Sequence, residues 1–123
     1  MFAEINGGEK NKLIEEFKRS FVCSDYDPSN QKISRLLWCN LSCRSETIPT
    51  EKFENISVDR NAEVYFYSER DNKLYSTVFS ETVDFIKNLE PWEDIDAEIF
   101  DKSFAWFIAV THEDFCILYG VDN

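Results

Sequence analysis

The chain has 123 residues, 43% hydrophobic and 15% aromatic, which is enough for one domain (1–123) with its own core and no metal or disulfide staple. Only 3 Gly and 3 Pro argue against a loop-rich or low-complexity protein, and no apolar run approaches the roughly 20 residues of a membrane span. A formal net charge of -11 argues against direct binding to nucleic acid, which rests on neutralising phosphates with Lys and Arg, and points to basic proteins as partners.

Met1 to Gly8 has neither the basic region nor the apolar run of a signal peptide, so the expectation is a soluble cytoplasmic protein with its four cysteines reduced. From Glu9 to Phe21, Leu13, Ile14, Phe17 and Phe21 share one helical stripe, predicting an amphipathic helix. Asp27-Pro28 supplies an N-cap and a first-turn proline. Ile33, Leu36, Leu37 and Leu41 continue at helical spacing, so a second helix is expected there, with a short strand over Leu36 to Asn40 as the alternative. Cys43 to Ile56 has no sustained period and reads as a connection with a short helix around Thr50 to Asn55.

The pattern then changes. Glu63 to Ser68 favours a strand, and Asp71-Asn72 offers turn chemistry before Lys73 to Thr77, a pattern that fits a hairpin or a strand running into the next helix. Ser80 is placed to cap a helix running to Leu89, with Glu81 and Asp84 near its positive end and Pro91 stopping its continuation. Asp96 to Phe100, the nearly continuous apolar run Phe104 to Val110, and Phe115 to Tyr119 read as strands, the last two joined by a tight turn over Thr111 to Asp114. The expected fold class is α+β: N-terminal helices packed on an antiparallel sheet of about four strands, with one further helix near 80–89.

Charge is distributed unevenly along this scaffold. Residues 61–123 hold 14 Asp/Glu against 4 Lys/Arg, whereas residues 1–60 hold 10 against 9. The acids are densest from Glu81 to Asp101, where Lys87 is the single cation, yet the same stretch is laced with apolar residues and is not a disordered acidic tail. The segment Trp92-Glu93-Asp94-Ile95-Asp96 falls between helix and strand. An aromatic anchor amid carboxylates is a combination that protein interfaces use for affinity and for steering a partner of opposite charge. Glu90, Trp92, Glu93, Asp94, Asp96, Glu98 and Asp101 are therefore the expected partner-binding residues. In the alternative reading, Trp92 and Ile95 pack inward and the acids are merely solvated.

Other chemistry is poorly supported by spacing. His112 is the single histidine and sits beside Glu113 and Asp114; without a second His or a matched cysteine pair it reads as a turn residue. Cys39 and Cys43 are four apart, not two as in zinc knuckles and redox pairs, and buried thiols are the favoured account of the cysteines. There is no calcium-loop pattern and no phosphate-cradling glycine loop. No catalytic residue, cofactor or metal is expected, and the composition sets no oligomeric state.

The run Phe104-Ala105-Trp106-Phe107-Ile108-Ala109-Val110-Thr111-His112-Glu113-Asp114-Phe115, ending near Tyr119-Gly120, resembles the final hairpin of small bacterial immunity-type proteins. These include the SMI1/KNR4 group and the immunity proteins of contact-dependent inhibition toxins. The resemblance covers about the last third of the chain. It implies a small, acidic, non-enzymatic cytoplasmic protein that neutralises one cognate toxin domain, commonly a nuclease, by stoichiometric occlusion. Two other expectations stand beside it: a small hydrolase or metal-dependent enzyme using His112 and nearby carboxylates, and a homo-oligomeric regulatory module.

Overall fold

The computed structural model describes residues 1–23, 36–42 and 46–122. Among these, seven strands form one sheet: β1 (Ala3–Ile5), β2 (Glu46–Pro49), β3 (Glu63–Ser68), β4 (Lys73–Val78), β5 (Ala97–Asp101), β6 (Phe107–Val110) and β7 (Phe115–Tyr119). Every neighbouring pair is antiparallel, in the order β1-β4-β3-β5-β6-β7-β2. Helix α1 (Gly7–Phe21) lies on one face, and α2 (Phe79–Lys87) with the 3-10 segment Thr50–Asn55 lies on the other.

Both helices dock by the stripes their sequences advertise. Ile14, Phe17 and Phe21 of α1 pack on Leu74, Phe100, Phe107, Ala109 and Ile117. The Phe17 ring centroid stands 5.1 Å from Phe21, 4.8 Å from Phe100 and 5.8 Å from Phe107. Opposite them, Phe53, Phe79, Val83 and Ile86 cover Val64, Phe66, Ile99, Ile108 and Leu118. The middle strands are thus roofed on both sides, which is why β6 has no polar residue and all four of its side chains are buried.

The sheet is larger than the four strands expected, because each edge gains a short strand. β1 has three residues and β2 ends in Pro49 with only Ile48 buried, so neither carries the alternation that marks a strand. Their pairing is a property of the backbone: Ile5 lies opposite Leu74, and Ile48 opposite Cys116. A proline at the end of an outer strand leaves no ladder donor missing.

The second helix expected from Asp27 falls largely outside the described residues. In its described part Leu37–Asn40 is a 3-10 turn, neither α-helix nor strand, and Leu41 forms an isolated bridge with Val22. α2 begins at Phe79 with Val78 as N-cap and no side-chain cap, so Ser80 does not cap it. The Thr82 hydroxyl donates instead to the Phe79 carbonyl at 2.6 Å inside the first turn. The turn chemistry held where it was expected: Asn72 and Asp114, in the two hairpin turns, adopt φ of 51° and 62°, a region these short polar side chains tolerate. No helix among the described residues is long and apolar enough to cross a membrane.

Candidate functional site

Strand register gathers four separate pieces of sequence at one end of the sheet. Ser68 ends β3 opposite Ala97, which begins β5; Ala97 lies opposite Val110 at the end of β6, and Val110 opposite Cys116 near the start of β7. The β3–β4 turn, the connection from α2 to β5, the β6–β7 turn and the β2–Thr50 junction therefore emerge together. Their exposed acids are Asp71, Glu90, Glu93, Asp94, Glu113 and Asp114. Among the described residues, Arg70 in the turn between β3 and β4 and Lys73 at the start of β4 are cations, and Lys10 reaches from α1 to the Asn72 carbonyl.

The connection is built to display Trp92. The Glu93 amide donates to the Glu90 carbonyl at 2.9 Å, and the Glu90 amide donates to the Glu93 carboxylate at 3.0 Å. Together these close a turn with Pro91 at its second position, where the fixed proline φ suits the bend. Trp92 follows as the third residue and is 77% exposed, against an inward Ile95 packed on the core. Of the two readings of this segment, the structure has Trp92 outside and Ile95 turned in.

Two members of the expected partner-binding face are interior and require correction. Asp96 is 1% exposed and Glu98 is fully buried. Both project from or beside β5, a central strand with cover on both faces, so their side chains meet protein instead of solvent. Asp101 is half-buried at the far end of β5, opposite Val64, and its carboxylate accepts from the Ser103 hydroxyl. Glu90, Trp92, Glu93 and Asp94 remain together on the surface.

Asp96 is the fastening point of the pole. It accepts from the Trp38 indole at 2.8 Å, the Arg70 Nε at 2.9 Å, the His112 amide at 3.2 Å and His112 Nδ1 at 2.8 Å. Burial pushes its carboxyl up, but the donors, His112 and Trp38 foremost, hold it below its ordinary value. The same bond to Asp96 raises the His112 pKa. His112 is thus the turn residue expected, with Asp96 as its principal carboxylate; Glu113 stands 3.9 Å from its Nε2.

Beneath Asp96 lies a second carboxyl pair. Glu69 accepts the Leu37 amide at 2.8 and 3.1 Å, while neither oxygen of Glu98 meets a protein donor. Burial above all, then the Glu69 charge, raises the Glu98 pKa well above its ordinary value. Burial and the neighbouring Glu69 charge thus favour the protonated form of Glu98 over a second buried negative charge. Among the described residues, no group of three or more His, Cys, Asp or Glu is arranged to hold a metal ion.

Cavities of about 390 and 240 Å³ flank the connection. The larger has Phe2, Phe66, Tyr75 and Phe85 in its walls with Arg70, Asp71, Glu93 and Asp94 beside them. The smaller lies between Ile86, Leu89 and Pro91 on one side and Thr111, His112 and Asp114 on the other. Cys116 is buried against the Thr50 hydroxyl at 3.8 Å, and burial pushes its thiol up to about 11. Cys39 is exposed, contrary to the expectation that the thiols are interior.

Sequence reasoning missed that Asp71, Glu113 and Asp114 share one end of the sheet with the Trp92 connection, and missed Trp38, Glu69 and Arg70 altogether. The two turns were legible individually, but their meeting depends on strand order. Set against known proteins, the chain matches no family model, no curated protein and no solved structure.

Proposed function

We propose that the chain is a non-enzymatic acidic binding protein that neutralises a cognate basic toxin domain, in the manner of an immunity protein against a nuclease, by stoichiometric occlusion. The observation that supports this reading is Trp92, a large exposed ring on a closed turn with Glu90, Glu93 and Asp94 beside it in the chain, at the same end of the sheet as the exposed Asp71 and Asp114. A nuclease presents cations to a phosphate backbone, and an ordered anionic surface competes for the same cations. The carboxylates steer the encounter, and the indole supplies the buried area that slows dissociation.

The test pairs this protein with the toxin domain encoded beside it, measuring cell survival and direct binding. The wild type is expected to protect at one-to-one stoichiometry, with an association rate that falls steeply as salt is added. Trp92→Ala is expected to weaken binding by tenfold or more, in line with loss of an interfacial aromatic anchor, without lowering stability. Unchanged affinity in Trp92→Ala and in a Glu90→Gln/Glu93→Gln/Asp94→Asn triple variant removes this pole from the interface.

A second reading, a small hydrolase using His112, draws on the Asp96–His112 contact and on the placement of His112 in the wall of the 240 Å³ cavity. Turnover of ester or phosphoester substrates that disappears in His112→Ala supports it; equal rates for the two proteins exclude it.

A further inference from the structure

We infer that the 390 Å³ cleft beside the Trp92 turn receives an arginine side chain projecting from the basic partner, an inference that rests on the pole being the docking surface. The volume falls at the lower end of the range for ligand sites, enough for one long side chain and part of its neighbour. Its aromatic wall is compact: the Phe2 ring centroid lies 5.3 Å from Phe66, 5.7 Å from Tyr75 and 5.8 Å from Phe85, and Phe66 lies 5.5 Å from Phe85. Such rings attract a cation through their quadrupoles, and a guanidinium stacks on them better than an ammonium.

The charged groups of the cleft complete the match. Asp71, Glu93 and Asp94 supply three carboxylates, one of them accepting the Ser68 hydroxyl at 3.1 Å. Among the described residues Arg70 is the one cation in the lining, and its Nε is committed to Asp96 at 2.9 Å. The cleft therefore retains a negative balance over an apolar floor, the environment in which a planar fork of donors pairs with carboxylate while its stem and face are desolvated. Glu93 and Asp94 belong both to this cleft and to the turn that displays Trp92, so one segment of partner chain spans the two.

The probe is acetyl-Gly-Arg-Gly-amide, titrated into the ¹⁵N-labelled full chain and followed by amide chemical shifts, beside a peptide with citrulline in place of arginine. Citrulline keeps the shape and loses the charge. The arginine peptide is expected to move Phe2, Phe66, Tyr75 and Phe85, with the citrulline peptide about fivefold to thirtyfold weaker. Phe2→Leu, which keeps apolar bulk at a half-buried position, is expected to weaken the arginine peptide severalfold and leave the citrulline peptide unchanged. Equal binding of the two peptides overturns the inference in favour of a merely apolar cleft. Shifts confined to residues 90–94 and 113–114 overturn it in favour of unspecific attraction to the pole, and the absence of shifts overturns it outright. The two readings fail separately: toxin affinity that survives loss of Trp92 and its acids refutes the docking surface, whereas the peptide titration reports on the cleft alone.

Discussion

Replacing Glu98 by Gln tests whether a neutral carboxyl sits at the centre of this fold. Glu98 is fully buried, faces Glu69 and Asp96, and has its pKa raised well above the ordinary 4.5. In the unfolded chain the group ionises near that ordinary value, whereas in the folded protein burial and the Glu69 charge keep the protonated form favoured to higher pH. A pKa raised by folding gives stability that is complete below 4.5 and lost as pH climbs toward the folded value. Within that window the loss is about 1.4 kcal/mol per pH unit. An amide has no proton to lose, and its NH2 is a donor placed beside the Glu69 carboxylate. The variant is therefore expected to gain on the wild type as pH rises from about 5 toward the folded pKa of Glu98, by at most about 1.4 kcal/mol per unit, the coupled Glu69 titrating in the same direction. His112, whose pKa is also raised, adds a loss of the same sign as pH rises through its folded value, but it is common to both proteins and cancels in the difference. Asp96, held below its ordinary 3.8, contributes stability that is lost only as pH falls through its folded value, outside this range. Urea unfolding at pH 5, 6, 7 and 8, followed by tryptophan fluorescence, measures the margin. Parallel pH profiles for the two proteins would refute the protonated Glu98.

Trp38→Phe keeps an aromatic ring beside His112 and Phe115 but deletes the indole donor to Asp96; it is expected to cost about 1.5–3 kcal/mol and to shift acid unfolding to higher pH, read by denaturant and acid titrations. Thr77→Val removes a buried hydroxyl that meets no partner and is expected to stabilise by about 1 kcal/mol, visible as a raised Tm; a lowered Tm contradicts it. Gly120 has φ of +75°, and a Cβ there would stand 2.8 Å from the Ala105 carbonyl oxygen, so Gly120→Ala is expected to destabilise by more than about 1 kcal/mol in urea melts. Cys116 is expected to resist iodoacetamide at pH 8 in the folded protein while Cys39 is modified, as read by peptide mass spectrometry; prompt labelling of Cys116 means that its burial is breached.

The amino-acid sequence alone determined the local elements and the sign of the surface. The stripe Ile14, Phe17 and Phe21 specified α1, the run Glu63 to Ser68 with Asp71-Asn72 specified a strand and a turn, and Pro91 after an amphipathic run marked where α2 must have ended. These features act over a few residues, within reach of a periodicity or a turn preference. The edge strands escaped notice because three or four residues joined only by backbone pairing impose almost no pattern on side chains. Tertiary structure alone decided which carboxylates face outward. Asp94 and Asp96 are two positions apart, yet one is exposed and the other is enclosed by Trp38, Arg70 and His112, donors drawn from three distant parts of the chain. Alternation along a strand assigns a side chain to a face, but whether that face is roofed depends on what folds over it. The acidic pole likewise exists because strand order brings Asp71, Trp92 and Asp114 to one end of the sheet, a long-range arrangement that no local spacing encodes.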